Sequence, residues 1–204
     1  MKQNKQKVIK LTVTSVLLAI TIILQAIGGF FVIPITGTSP ALSLIPIAVG
    51  AILFGPSCGA ILGLGWSVFI LVSGQASYYM GMNAVGTVIT VIAKGTLAGL
   101  TSAYAFKVLK NKSYILAIVI ASILTPIVNS LVYRICLVIF FSDYFFGKAG
   151  EENPVVYFMK AFFAGGFFLE VGISAIFSPG IVRICDISFS KLGIDISSRK
   201  KETV

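Results

Sequence analysis

Apolar residues in this chain run in stretches long enough to cross a lipid bilayer. Residues 8–27 form the clearest stretch, carrying a single charge, Lys10. Further runs follow at residues 41–54, 57–72, 82–106, 113–141 and 155–188. A spanning helix needs about 20 apolar residues, so 204 residues accommodate six spans with short connections. Composition agrees: 57% of residues are hydrophobic and only 11% charged, whereas a soluble domain carries about 25% charged residues. The expected fold class is an all-α integral membrane bundle of six transmembrane helices, one membrane-embedded domain over residues 1–204. The second and third spans are too short, at about 1.5 Å per residue, to cover a hydrocarbon core of about 30 Å. Pro46 interrupts the second. Such helices are tolerated where they line a cavity or are covered by protein.

Charge placement sets an orientation. Lys2, Lys5, Lys7 and Lys10 cluster at the start of the first span, and Lys107, Lys110 and Lys112 follow the fourth. Arg183, Lys191, Arg199, Lys200 and Lys201 lie at the end. The opposite loops hold only Lys148 and Lys160, beside Asp143, Glu151 and Glu152. The positive-inside rule then puts both termini in the cytoplasm. The net charge of +9 reads as a topology signal and a contact with anionic lipid headgroups, not as a nucleic-acid surface. The first apolar run is too long for a cleavable signal peptide and lacks a small-residue cleavage site, so it is expected to remain as the first helix.

Missing residues exclude most chemistry. The chain has no histidine, the commonest general base and metal ligand. Cys58, Cys136 and Cys185 are too far apart in sequence to match a metal-ligand spacing and read as apolar packing residues. No phosphate-binding P-loop is present, so ATP would have to be hydrolysed by another polypeptide. No enzymatic activity, metal or cofactor is expected.

Polar groups inside spans are costly and therefore informative. Asn83, Thr87, Thr90, Lys94 and Thr101 fall at helical spacing on one face of the fourth span, expected to face the bundle interior or water. Gly166, Glu170, Ser174 and Ser178 form a second stripe on the sixth. Glu170 and Lys94 both count to near mid-membrane, and a buried ion pair is the simplest account of them, though an ion relay would use the same residues. On the fifth span Asn129 and Tyr133 share a face, with Arg134 about 140° round from Asn129. Arg134 either snorkels to headgroups or offers its guanidinium to an anionic ligand. The uncharged loops hold Phe30, Phe31, Thr36, Thr38, Ser39, Gln75, Ser77, Tyr78 and Tyr79. These are either an interfacial aromatic belt or, with Trp66, Asn83 and Asn129, the walls of a small-molecule pocket. Gly59 and Gly63, four apart, suit close helix packing.

Three groups of residues carry a resemblance. They are the basic lead Lys7 to Lys10 followed by Ser15-Val16-Leu17-Leu18-Ala19; Ile45-Pro46-Ile47-Ala48-Val49-Gly50; and Leu53-Phe54-Gly55-Pro56 with Gly59 and Gly63. Together with six short helices they resemble the S component of an energy-coupling factor (ECF) vitamin transporter. The segments Lys94-Gly95-Thr96-Leu97-Ala98-Gly99-Leu100 and Thr125-Pro126-Ile127-Val128-Asn129 look most like the pantothenate branch; folate, riboflavin and other precursors remain open. The resemblance implies a high-affinity vitamin-binding subunit of a bacterial plasma membrane. Its partners would be a transmembrane T component and two cytoplasmic ATPases. Ser15 and Ala19 match the family's small-residue motif for helix contact with a partner, with serine in the first position. For a pantothenate carboxylate, Arg134 is the expected anchor. Asn83, Thr87, Asn129 and Tyr133 are neutral contacts, Trp66, Tyr78 and Tyr79 are walls, and Lys94 and Glu170 lie close by. The competing readings are an ion-coupled carrier, which predicts inverted repeats, and an intramembrane enzyme, which Glu170 alone cannot equip.

Overall fold

The computed structural model describes residues 2–28, 41–163 and 166–191, and among these every regular element is a helix. In chain order they are α1 (Lys2–Gly28), α2 (Leu44–Phe54), α3 (Pro56–Val72), α4 (Ser77–Met82), α5 (Ala84–Leu109), α6 (Tyr114–Phe140), α7 (Ser142–Ala149), α8 (Pro154–Phe163) and α9 (Phe167–Lys191). Four of them, α1 from Gln6 onward, α5, α6 and α9, are long and apolar enough to cross a membrane. The chain is therefore a helical membrane protein. Phe30, Phe31, Thr36, Thr38 and Ser39, and the basic residues Arg199, Lys200 and Lys201, lie outside the described residues.

The short α2 is the centre of the molecule. All of its residues but Ile45 are buried, and it touches α1, α3, α5, α6 and α9. A helix that is apolar all round has no side suited to water, and it is stable when wrapped by other helices. Pro46 does not interrupt it. The ring occupies the third residue of α2, in the first turn, where backbone N–H groups have no partner within the helix.

Neighbours α3 and α5 approach through glycine. A Cβ on Gly59 would overlap the Gly99 carbonyl, and one on Gly63 would overlap the carbonyl of Gly95. The residue numbers rise on one helix as they fall on the other, so the pair is antiparallel. Between α6 and α9 the contact is polar. Pro126 has no N–H to give the carbonyl of Ser122 one turn earlier, and the Ser174 hydroxyl of α9 donates to that oxygen at 2.8 Å. The backbone acceptor freed by Pro126 is thereby satisfied inside the bundle.

The expected sixth helix over residues 155–188 is two helices, α8 and α9. Gly166, a turn residue just before α9, is a residue of poor helix propensity. Glu170 consequently sits in the first turn of α9 rather than near the middle of a long span. The expected break at residues 142–154 contains α7, whose Phe145 packs edge-on against Tyr157 of α8. Lys160 and Glu152 form the ion pair found among the described residues.

Candidate functional site

Between α5, α6, α3 and the segment around α4 lies a cavity of about 170 Å³. Thr87, Thr90, Val91 and Lys94 of α5 line it at helical spacing, opposite Tyr133 and Leu137 of α6 and then Phe141. Ile70 of α3 and the Gln75, Ala76 and Tyr79 group around α4 complete the wall. Apolar walls with a few convergent polar groups are the usual make-up of a small-molecule site.

Lys94 is the cation of this cavity. Its ammonium lies 4.9 Å from the centroid of the Trp66 ring and 5.4 Å from that of Tyr133, close enough for cation–π attraction to both. Glu170 makes no contact salt bridge with Lys94, although the two charges remain electrostatically coupled at longer range. Lys94 has no carboxylate within contact distance among the described residues, and Glu170 instead accepts the backbone N–H of Ala41 at 3.1 Å.

Position along α5 also explains the floor. Gly95 follows Lys94 and meets Gly63; a Cβ there would come within 2.9 Å of the Trp66 ring. The missing side chain lets the indole lie against the helix below the ammonium. The Trp66 N–H donates to Gln25 Oε1 at 2.8 Å, and Ser43 donates to the same oxygen at 2.7 Å. Gln25 Nε2 in turn donates to Gln75 Oε1 at 2.7 Å.

The threonines are buried, 2% and 4% exposed, and their hydroxyls donate back along the helix. Thr87 bonds to the Asn83 carbonyl at 2.7 Å and Thr90 to the Gly86 carbonyl at 2.6 Å. Their protons are thus committed, and what they can still offer a ligand is an acceptor oxygen. On the far wall Tyr79 and Tyr133 share a hydrogen bond of 2.7 Å, and Tyr79 also meets Tyr78, Phe141 and Tyr144 edge-on. Burial, and then the bond with Tyr133, hold the Tyr79 hydroxyl above the ordinary phenol range, so it stays neutral.

Other expected site residues take different places. Asn83 caps α5, accepting from the Gly86 N–H at 2.8 Å and donating to the Phe140 carbonyl at 3.2 Å. Asn129 is buried in α6 with Oδ1 unpartnered, and Arg134 has a buried Nε without a partner. The Arg134 guanidinium lies 5.3 Å from the Tyr133 ring centroid; neither Asn129 nor Arg134 is part of the cavity wall. Tyr78 is 61% exposed. Ser15 and Ala19 lie on the exposed side of α1, with the Ser15 hydroxyl bonded to the Leu11 carbonyl at 3.0 Å. Gln25, Leu137 and Phe141 were not among the expected site residues. A lone amide inside an apolar span is a signal for the first, and spacing of four from Tyr133 for the others.

A family model described as the ECF transporter, substrate-specific component matches residues 9–185. The chain belongs to this family. No curated sequence and no solved structure gives a significant match. As a substrate-specific component it is a non-enzymatic membrane subunit, which binds a small molecule and works with a T component and ATPases. The cavity at Lys94 is a polar pocket within its helical bundle.

Proposed function

We propose that this substrate-specific component captures a small carboxylate vitamin, pantothenate in the first instance, in the cavity at Lys94. The observation that carries the reading is an ammonium in a protein interior with aromatic faces around it and no carboxylate in contact. An anionic ligand supplies the missing partner, and a charge-assisted hydrogen bond of this kind contributes about 1.5–3 kcal/mol. Pantothenate has one carboxylate, an amide and two hydroxyls. The acceptor oxygens of Thr87 and Thr90 suit its hydroxyls, and the Gln75 carboxamide suits its carbonyl. Lys94 takes the role of anchor in preference to Arg134, which packs behind Tyr133.

The wider reading completes the importer. The chain crosses a bacterial plasma membrane six times as a single domain, with α2 and α3 as short crossings and both termini cytoplasmic, following its basic segments. The cavity then faces outward. Equilibrium binding of radiolabelled pantothenate to the purified protein tests the substrate, with folate and riboflavin as competitors. Tight binding of pantothenate that Lys94→Ala weakens by about 10- to 150-fold supports the proposal. Preferential binding of an uncharged vitamin overturns it, as does an unchanged dissociation constant in Lys94→Ala.

A further inference from the structure

Gln25 stands outside the cavity, on α1, yet it holds hydrogen bonds to two groups that shape it. Its amide bridges Trp66, which lies under the Lys94 ammonium, and Gln75, which lines the mouth. The chemistry of these groups fixes the direction of every bond. An indole N–H can only donate, so the Gln25 atom 2.8 Å from Trp66 Nε1 is its oxygen. The same oxygen takes the Ser43 hydroxyl. Gln25 therefore turns its NH₂ toward Gln75, and the Gln75 atom that receives it is Oε1. With its oxygen committed, Gln75 has its NH₂ left to offer the cavity.

We propose that Gln25 is a positioning residue that sets Gln75 as a hydrogen-bond donor at the cavity mouth, so that the site selects a ligand with an acceptor oxygen there. The proposal rests on the reading of this cavity as the substrate site. Gln75 is exposed in the free protein, so selection acts where a bound ligand covers it: a ligand donor facing a second donor then leaves both unpaired, and that costs more than a missing bond. A free glutamine would rotate its amide to suit either ligand. One held by Gln25 cannot, because reversing it would set two NH₂ groups face to face. Ligands that present an ammonium where the Gln75 NH₂ points are disfavoured by this relay, independently of Lys94.

Gln25→Glu is the informative change. A carboxylate accepts from Trp66 and Ser43 as before, but it presents an acceptor to Gln75 and so draws the Gln75 NH₂ away from the cavity. The full-length protein in detergent, with isotopically labelled glutamine and the Gln75 signal assigned by its loss in Gln75→Ala, reports this without any ligand. The expected result is that the Gln75 carboxamide protons exchange with water more slowly in Gln25→Glu than in wild type. Pantothenate binding should weaken by about tenfold, with no further loss when Gln25→Glu is added to Gln75→Ala. Gln25→Met, which keeps the volume and offers neither donor nor acceptor of comparable strength, frees Gln75 and should weaken binding less than Gln25→Glu. Equal exchange at Gln75 in wild type and Gln25→Glu overturns the relay, as do losses of affinity that add in the double variant. Wild-type protein that fails to bind pantothenate overturns the proposed substrate alone, since the exchange measurement still decides the relay.

Discussion

An ammonium inside a helical bundle is stable only if something replaces its water. For Lys94 the faces of Trp66 and Tyr133 supply part of that replacement, at about 0.5–2 kcal/mol each. The remaining ammonium donors point to an anion. Trp66 is the single tryptophan of the chain, so its emission reports ligand at Lys94 directly. Adding pantothenate should change that emission in wild type and leave it unchanged in Lys94→Ala. Arg134→Ala is expected to retain the response, with affinity within a few-fold of wild type; a loss as large as that of Lys94→Ala would return the anchor role to Arg134. Thr87→Val keeps the shape but removes the acceptor oxygen, and should weaken binding by about 2- to 10-fold. Equilibrium binding checks both variants.

Between elements, two contacts bear on stability in different ways. At α3 and α5 there is no room for any side chain, because backbone meets backbone at Gly63 and Gly95. Gly63→Val should cost about 1–3 kcal/mol or more through overpacking and also distort the cavity floor, lowering the midpoint of thermal unfolding in detergent together with ligand affinity. At α6 and α9 the contact answers a backbone defect. Ser174→Ala leaves the Ser122 carbonyl without its hydroxyl, at about 1–3 kcal/mol. Adding Pro126→Ala restores an N–H for that carbonyl, so the double variant should unfold at a higher temperature than Ser174→Ala alone. Failure of the rescue would mean that another donor already satisfies Ser122. The glycine contact was half legible: the spacing of Gly59 and Gly63 marks a close approach, but nothing in sequence names Gly95 and Gly99 as its partners. Proline 126 was visible as a defect, and the serine that answers it was not.

For the molecule as a whole, α1 has two faces with different tasks. Thr14, Thr21 and Gln25 point inward, with Thr14 in contact with Cys58 at 3.1 Å. Val8, Leu11, Val16, Ile20 and Ile23 are exposed, along with Ser15 and Ala19. Small residues among large apolar ones allow a partner helix to approach. Ser15→Trp and Ala19→Trp are each expected to abolish ATP-driven uptake by the assembled transporter while leaving pantothenate binding by the isolated subunit unchanged. Loss of binding together with uptake would place this face inside the fold. Reconstituted alone in liposomes with a proton gradient, the subunit should show no sustained accumulation; robust uptake would favour an ion-coupled carrier.

What the sequence by itself determined is the solvent this chain folds in and the elements that solvent permits. Apolar runs demand lipid, lipid demands that backbone groups be satisfied within helices, and the lack of histidine or a P-loop removes most catalysis. The stripe from Thr87 to Lys94 was readable for the same reason, since helical spacing is a local property. Only the tertiary structure decided which polar groups meet. Residue count put Glu170 and Lys94 at one depth, and the fold leaves them electrostatically coupled without a contact ion pair. The sequence favoured Arg134 over Lys94 as the anchor, yet of the two it is Lys94 that lines the cavity, while the Arg134 guanidinium lies against the Tyr133 ring. The bridge from Trp66 through Gln25 to Gln75 spans three segments of the chain, and its direction follows from one donor-only nitrogen whose neighbour no local pattern could name.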